Sequence, residues 1–199
     1  MICGVILAAG ASRRMRQPKM EMLVRGKPLL LWTVDAALDS TLDGVFCVTR
    51  PELDRALVRE LEKRRLRLLV NPAADLGQST SLKQGLRHLP DDCCAALFLL
   101  GDQPLIRAST INEILQVYRE THAALVAPEL RGELRNPILF DRSLFCELME
   151  VTGDQGGREV VVRHTTEVVR VPIEEPLFDR DVDTPEDFKE LTDWVESQE

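Results

Sequence analysis

The chain has no C-x-x-C pair, no G-x-G-x-x-G and no G-x-x-x-x-G-K-[ST]. Its five cysteines, Cys3, Cys47, Cys93, Cys94 and Cys146, show no metal-like spacing. Three of them lie in apolar runs, where cysteine serves as a small core residue. The adjacent Cys93 and Cys94 cannot bridge each other without strain. Such thiols suit a reducing, cytoplasmic setting. His88, His122 and His164 are isolated, which argues against a histidine-built metal site. Basic residues are in deficit, 25 against 33 acidic ones, for a net charge of −8. That balance disfavours general nucleic-acid binding, while a local cationic site still fits. No apolar run approaches the roughly 20 residues that span a bilayer. No basic-then-apolar leader opens the chain, so neither a secretory signal nor a membrane span is expected. No repeat, low-complexity tract or linker divides it. One domain, residues 1–199, is therefore expected, long enough for an α/β core.

What is present is a recurring alternation of apolar runs and helix-like segments, which predicts a mainly parallel sheet covered by helices. Strands are expected at 2–7, 44–49, 66–70, 95–100, 123–127, 138–140 and 168–172. Helices are expected at 29–38, 51–65, 79–89, 109–120, 143–150 and 157–164. Residues 22–24 read as a short extended piece before a turn at 25–28. Pro51 suits the first turn of its helix. Thr184, Pro185 and Asp187 read as the capped start of a last helix.

Chemistry concentrates in four stretches. The first, residues 5–19, is a buried strand that breaks into Ala8, Ala9, Gly10, Ala11 and Ser12, followed by Arg13, Arg14 and Lys19. A small-residue turn lets backbone N–H groups approach an anion, and the cations beyond it neutralise charge. A solvated arginine cluster is the plain alternative. The second is Gly101-Asp102-Gln103-Pro104, at the end of an apolar strand. A carboxylate at the carboxyl edge of an open sheet is a natural Mg²⁺ ligand, although G-D and Q-P are also ordinary turn pairs. The third is Gly77-Gln78-Ser79-Thr80-Ser81, whose hydroxyls can cap a helix at Ser79 or bond a base edge. The fourth is Asp181-Val182-Asp183-Thr184-Pro185-Glu186-Asp187, whose acids share a face or simply favour a helix N-terminus.

Taken together these stretches resemble the MobA-like nucleotidyltransferases. The N-terminal signature L-A-A-G-x-S-x-R-M-x-x-x-K matches at Leu7, Ala8, Ala9, Gly10, Ser12, Arg14, Met15 and Lys19. Arg16 stands where the family usually has Gly, and Arg135 likewise within Arg135-Asn136-Pro137. Gly153-Asp154-Gln155-Gly156-Gly157-Arg158 is similar to a further family segment, in the half that faces the acceptor. The combination of G-D-Q-P, G-D-x-G-x-R and D-T-P-E-D most resembles the molybdenum cofactor cytidylyltransferase branch. Ala9, where the guanylyltransferase branch reads Gly, points to CTP over GTP.

The resemblance implies a Rossmann-like three-layer αβα sandwich of the nucleotide-diphospho-sugar transferase or GT-A type. It implies a nucleotide site at Leu7, Ala8, Ala9, Gly10, Ala11 and Ser12, with Ser81, Ser79 and Asn71 near the base and ribose. It implies catalytic roles for Arg14, Lys19 and Asp102, and Mg²⁺ held by Asp102 and Asp183, with Asp181 as a candidate companion. The implied partners are CTP or another NTP, a molybdopterin-type acceptor and a molybdenum hydroxylase. Other acceptors or GTP within the same fold, a non-catalytic carrier for a molybdenum enzyme, and a redox protein are the alternatives. The missing G-x-G-x-x-G counts against the last.

Overall fold

The computed structural model describes residues 1–12, 14–15, 17–174 and 178–197. Arg13 and Arg16 lie outside the described residues, and with them the expectation attached to Arg16.

The sheet is built on β1 (Ile2–Ala8), which pairs in parallel with β4 (Gly44–Thr49) on one side and β6 (Ala95–Leu100) on the other. β5 (Arg67–Val70) extends it beyond β4. On the far side β9 (Ile138–Asp141) runs antiparallel to β6 and to β7 (Leu125–Leu130), and β10 (Val168–Pro172) pairs in parallel with β7. The order is β10-β7-β9-β6-β1-β4-β5, with the short β8 (Glu133–Leu134) on the end of β7. A small hairpin, β2 (Leu23–Val24) and β3 (Lys27–Pro28), stands apart.

The inner strands read as unbroken apolar runs because both faces are covered. Along β1, Ile2, Ile6 and Ala8 enter one core, while Cys3, Val5 and Leu7 enter the other. Along β6, Leu97 and Leu99 alternate with Ala96 and Phe98 in the same way. The first core is closed by α1 (Leu29–Leu38), α2 (Arg55–Glu62) and α4 (Ala108–Thr121). The second is closed by α3 (Gln78–Leu86), α5 (Phe145–Leu148) and α6 (Arg158–Arg163). A third, smaller cluster joins α7 (Pro185–Glu196) to Met15, Val24 and Leu29. Each fully buried Leu or Ile in these layers contributes about 1.5–3 kcal/mol. The architecture is the expected α/β sandwich with a mainly parallel sheet.

Local departures from the sequence reading have physical causes. α2 starts at Arg55, because the Asp54 carboxylate accepts from the amides of Ala56 and Leu57 at 2.7 and 3.2 Å. Pro51 therefore precedes the helix instead of opening it. α3 starts at Gln78 behind Gly77, whose φ is +112°, and no side chain caps it. Ser79 is thus inside the helix and not its cap. β8 has only two residues, too few to show alternation.

Because β9 is reversed, its entry lies at the same edge as the exits of β1, β4, β5, β6 and β10. That edge is where the chemistry of the sequence gathers.

Candidate active site

β1 ends at Ala8 and opens into Gly10, Ala11 and Ser12. Ser12 takes a positive φ of 50°, and its Oγ accepts from the Lys19 amide at 3.2 Å. Its carbonyl accepts from the Met15 amide at 3.1 Å. The turn is thereby closed, and Lys19 is carried back over the strand end in a 3₁₀ turn, Lys19–Glu21. A cavity of about 430 Å³ lies against this turn. Gly10, Ala11 and Ser12 line one side, and Arg50, Glu52 and Leu53 from the exit of β4 line another.

Asp102 approaches from β6. The Gly101 amide donates to the Leu7 carbonyl at 3.0 Å, which locks the two strand ends together. A Cβ on Gly101 would stand 3.0 Å from both Ala8 Cβ and Leu30 Cδ1, so glycine allows the approach. Asp183 arrives from the opposite end of the sequence. The Val182 amide donates to the Asp102 carbonyl at 3.1 Å, and Val182 is buried in the third cluster.

These paths converge on one ammonium. Lys19, only 7% exposed, donates from Nζ to Asp102 Oδ2 and, at 3.0 Å, to Asp183 Oδ1. Arg14 reaches the other oxygen of Asp183 at 2.7 Å while 73% exposed. Burial alone would lower the Lys19 pKa, but the two carboxylates outweigh it and hold the ammonium above its usual range. Asp181 is pushed up to about 6, first by burial and then by the charge of Asp102.

The structure thus brings Arg14, Lys19, Asp102 and Asp183 together at the carboxyl edge of the sheet, beside Ala8 to Ser12. Two carboxylate oxygens from separate parts of the chain aimed at one cation are a suitable donor set for Mg²⁺. That ion binds through one or two carboxylates and completes its shell with phosphate oxygens and water. Among the described residues, no three histidine, cysteine or acidic side chains form a ready-made cage. A protein-only cage is therefore not what this site offers.

Asn71, Ser79 and Ser81 are all buried. Asn71, at the exit of β5, donates to Thr80 Oγ1 and Ser81 Oγ, both at 2.9 Å, and accepts from the Ala73 amide at 3.0 Å. Its own amide donates to the Thr49 carbonyl at 2.8 Å. Asn71 and Ser81 are thus brought together, with their polar atoms turned to each other across the β5–α3 junction.

Sequence reasoning missed two features of the edge. Gln103 donates to the Asp179 carbonyl and to Asp181 Oδ1, both at 2.9 Å. Its signal was its place directly after Asp102. Arg50 pairs with Glu52 at 2.9 Å and with Asp75 at 3.7 Å on the cavity wall. Its signal was its place directly after β4. Arg135, the residue in place of Gly, has Nε 3.2 Å from Asp179 Oδ2 and also pairs with Glu133.

Residues 4–168 match the family model for the MobA-like NTP transferase domain. The purine catabolism protein PucB of Bacillus subtilis is 29% identical over 167 residues, which is 80% of each chain. The solved structure of the Rv0371c homologue from Mycobacterium sp. strain JC1 is 29% identical and superposes with a TM-score of 0.86 over 100% of this chain and 98% of that one. Rv0371c of Mycobacterium tuberculosis, solved as a complex with manganese, is 24% identical with a TM-score of 0.78, over 96% and 98%. No helix among the described residues is long and apolar enough to cross a membrane.

Proposed function

The chain belongs to the MobA-like NTP transferase family, and on that premise we propose that it transfers CMP from CTP to the terminal phosphate of a molybdopterin-type cofactor. The observation that carries this reading is the meeting of Lys19 with Asp102 and Asp183 beside the small-residue turn. The choice of base and acceptor rests on the sequence: Ala9 in the turn, and G-D-Q-P, G-D-x-G-x-R and D-T-P-E-D together.

An acceptor phosphate oxygen forms a bond to the α-phosphorus of CTP. The bond from that phosphorus to the bridging oxygen breaks, and pyrophosphate leaves with the electron pair. The acceptor is already anionic, so no strong base is needed. The protein positions the reactants and neutralises charge. Backbone N–H groups between Ala8 and Ser12 hold the triphosphate. Arg14 and Lys19 stabilise the charge that grows on the departing pyrophosphate. Asp102 and Asp183 would hold Mg²⁺, which when bound polarises the phosphoryl oxygens. Asn71, Ser79 and Ser81 support the wall beside base and ribose. The whole chain acts as one domain, and a molybdenum hydroxylase is the fitting recipient of the product.

The test is incubation with each of CTP, GTP, ATP and UTP, Mg²⁺ and a panel of acceptors: molybdopterin-type cofactor, sugar phosphates and polyol phosphates. Pyrophosphate is scored and the product identified by mass. The expected product is the CMP conjugate of the molybdopterin-type acceptor. Turnover with another pair reassigns the substrates. Nucleotide binding without pyrophosphate release from any pair makes the protein a carrier and overturns the reading.

A further inference from the structure

Asp102 and Asp183 can meet only if the segment before Asp183 is docked onto the end of β6. One buried carboxamide makes much of that connection. Gln103 is 4% exposed. Its Nε2 donates to the Asp179 carbonyl and to the Asp181 carboxylate, each at 2.9 Å. The neighbouring Asp102 carbonyl takes the Val182 amide at 3.1 Å. Gln103 is itself fixed. Its amide donates to the Leu100 carbonyl at 3.2 Å, and its carbonyl accepts from the buried Thr33 hydroxyl of α1 at 3.2 Å. From the other side, Arg135 Nε stands 3.2 Å from the Asp179 carboxylate.

The chemistry at this position is restrictive. The partner must supply two hydrogen bonds from one nitrogen and stay neutral. Lysine or arginine would place a second cation on Asp181, next to the acids that Lys19 already neutralises. Glutamate would add a carboxylate to Asp102, Asp181 and Asp183. An apolar side chain would leave a buried carbonyl and carboxylate unmatched.

We propose that Gln103 is a positioning residue for the Asp102–Asp183 pair: it clamps residues 179–182 to the end of β6, so that the two carboxylates converge. The consequence for turnover rests on the transferase reading above, whereas the clamp itself rests on the hydrogen bonds alone.

The test compares the full chain with Gln103→Met, which keeps the length and loses the donors, and with Gln103→Asn, which withdraws the carboxamide by one methylene. The readouts are hydrogen exchange of the Val182 amide, Mn²⁺ affinity, and kcat and KM for the nucleotide. For Gln103→Met the expectation is faster Val182 exchange, Mn²⁺ affinity weaker by about tenfold or more, and kcat lower by a similar factor with KM little changed. In an Asp183→Asn background the same substitution should cost little further kcat. Unchanged Val182 exchange and Mn²⁺ affinity in folded Gln103→Met would overturn the clamp. So would a raised KM at constant kcat. If Gln103→Met does not fold, Gln103→Asn decides by the same readouts. A wild-type chain without turnover, whose Val182 exchange still responds to either substitution, sinks the transferase reading and leaves the clamp standing.

Discussion

The Lys19 ammonium lies 3.0 Å from the Asp183 carboxylate, although 164 residues separate the two in the chain. It also bonds Asp102, so a lysine occupies the point on which both acids converge. In Lys19→Ala that point is vacated. Mn²⁺ should then bind more tightly in the absence of nucleotide, because like charges are left without their counterion. Pyrophosphate release should fall by about 10²–10³-fold, since a cation is lost from the developing charge. Calorimetric titration with Mn²⁺ and a pyrophosphate assay separate the two effects. Weaker metal binding together with full turnover would contradict the arrangement.

Asn71→Ala removes the hub of the β5–α3 junction. Two donated bonds and one accepted bond disappear from a buried site. The expected cost is about 1–3 kcal/mol, read as a lower urea midpoint at constant slope. An unchanged midpoint would show that the junction is held by packing alone.

Gly85→Ala tests how closely α3 lies on β1. A methyl group there would stand 2.4 Å from Val5 Cγ1, a branched side chain in the middle of the sheet. Helix or strand must shift, at a cost of about 1–3 kcal/mol despite alanine's better helix propensity. Thermal unfolding measures it, and a stabilised variant would refute the close approach.

Thr184→Ala breaks a reciprocal cap. The Thr184 hydroxyl accepts from the Asp187 amide at 3.2 Å, and the Asp187 carboxylate accepts from the Thr184 amide at 2.8 Å. The loss should be about 1 kcal/mol. Burial alone would raise the Asp187 pKa, but the Thr184 hydroxyl and the amides of Thr184 and Asp183 outweigh it and hold it low. A depressed folded value means that this contribution is present above the unfolded pKa of about 3.9 and is lost as pH falls through the folded one. The stability gap between wild type and Asp187→Asn should therefore narrow in acid.

His164 behaves oppositely. Its ring lies 2.8 Å from Glu167 and 3.0 Å from Glu147, and hydrogen bonds to these acids, Glu167 first, raise its pKa. A raised folded value gives stability that is full below the unfolded pKa of about 6.5 and lost as pH rises through the folded one. An NMR titration of His164 should show a midpoint above about 6.5 that drops in Glu167→Gln. An unmoved midpoint would refute the pairing.

Much of this molecule was legible in one dimension, for identifiable reasons. β6 and α1 were readable end to end because continuous apolar runs have sharp polar borders. The α7 cap was readable because its chemistry is contained in four consecutive residues, 184–187. The start of α2 was misread because Pro51 and Asp54 both suit a helix entry, and only the bonds from Asp54 decide between them. At the site, the residue types along β1, β6 and the D-x-D-T-P-E-D stretch marked which side chains to watch. That a lysine would lie between two of the acids was not legible, since it depends on Val182 docking under Asp102. Gln103 was invisible as a connector because its partners are 76 and 78 residues away.

The reversed strand β9 divides the rim of the sheet into two districts. Loops from β1, β4 and β5 furnish one, loops around β8, β9 and β10 the other, and Asp102 sits on the border. The two districts still touch: a Cβ on Gly77, at the head of α3, would stand 2.6 Å from the Gly153 backbone, and one on Gly156 would stand 2.6 Å from Gln78 Oε1. The turn at Gly132 has open space around it, whereas residues 153–156 press on the head of α3. A graft of residues 153–156 must therefore carry matching residues at 77 and 78 with it.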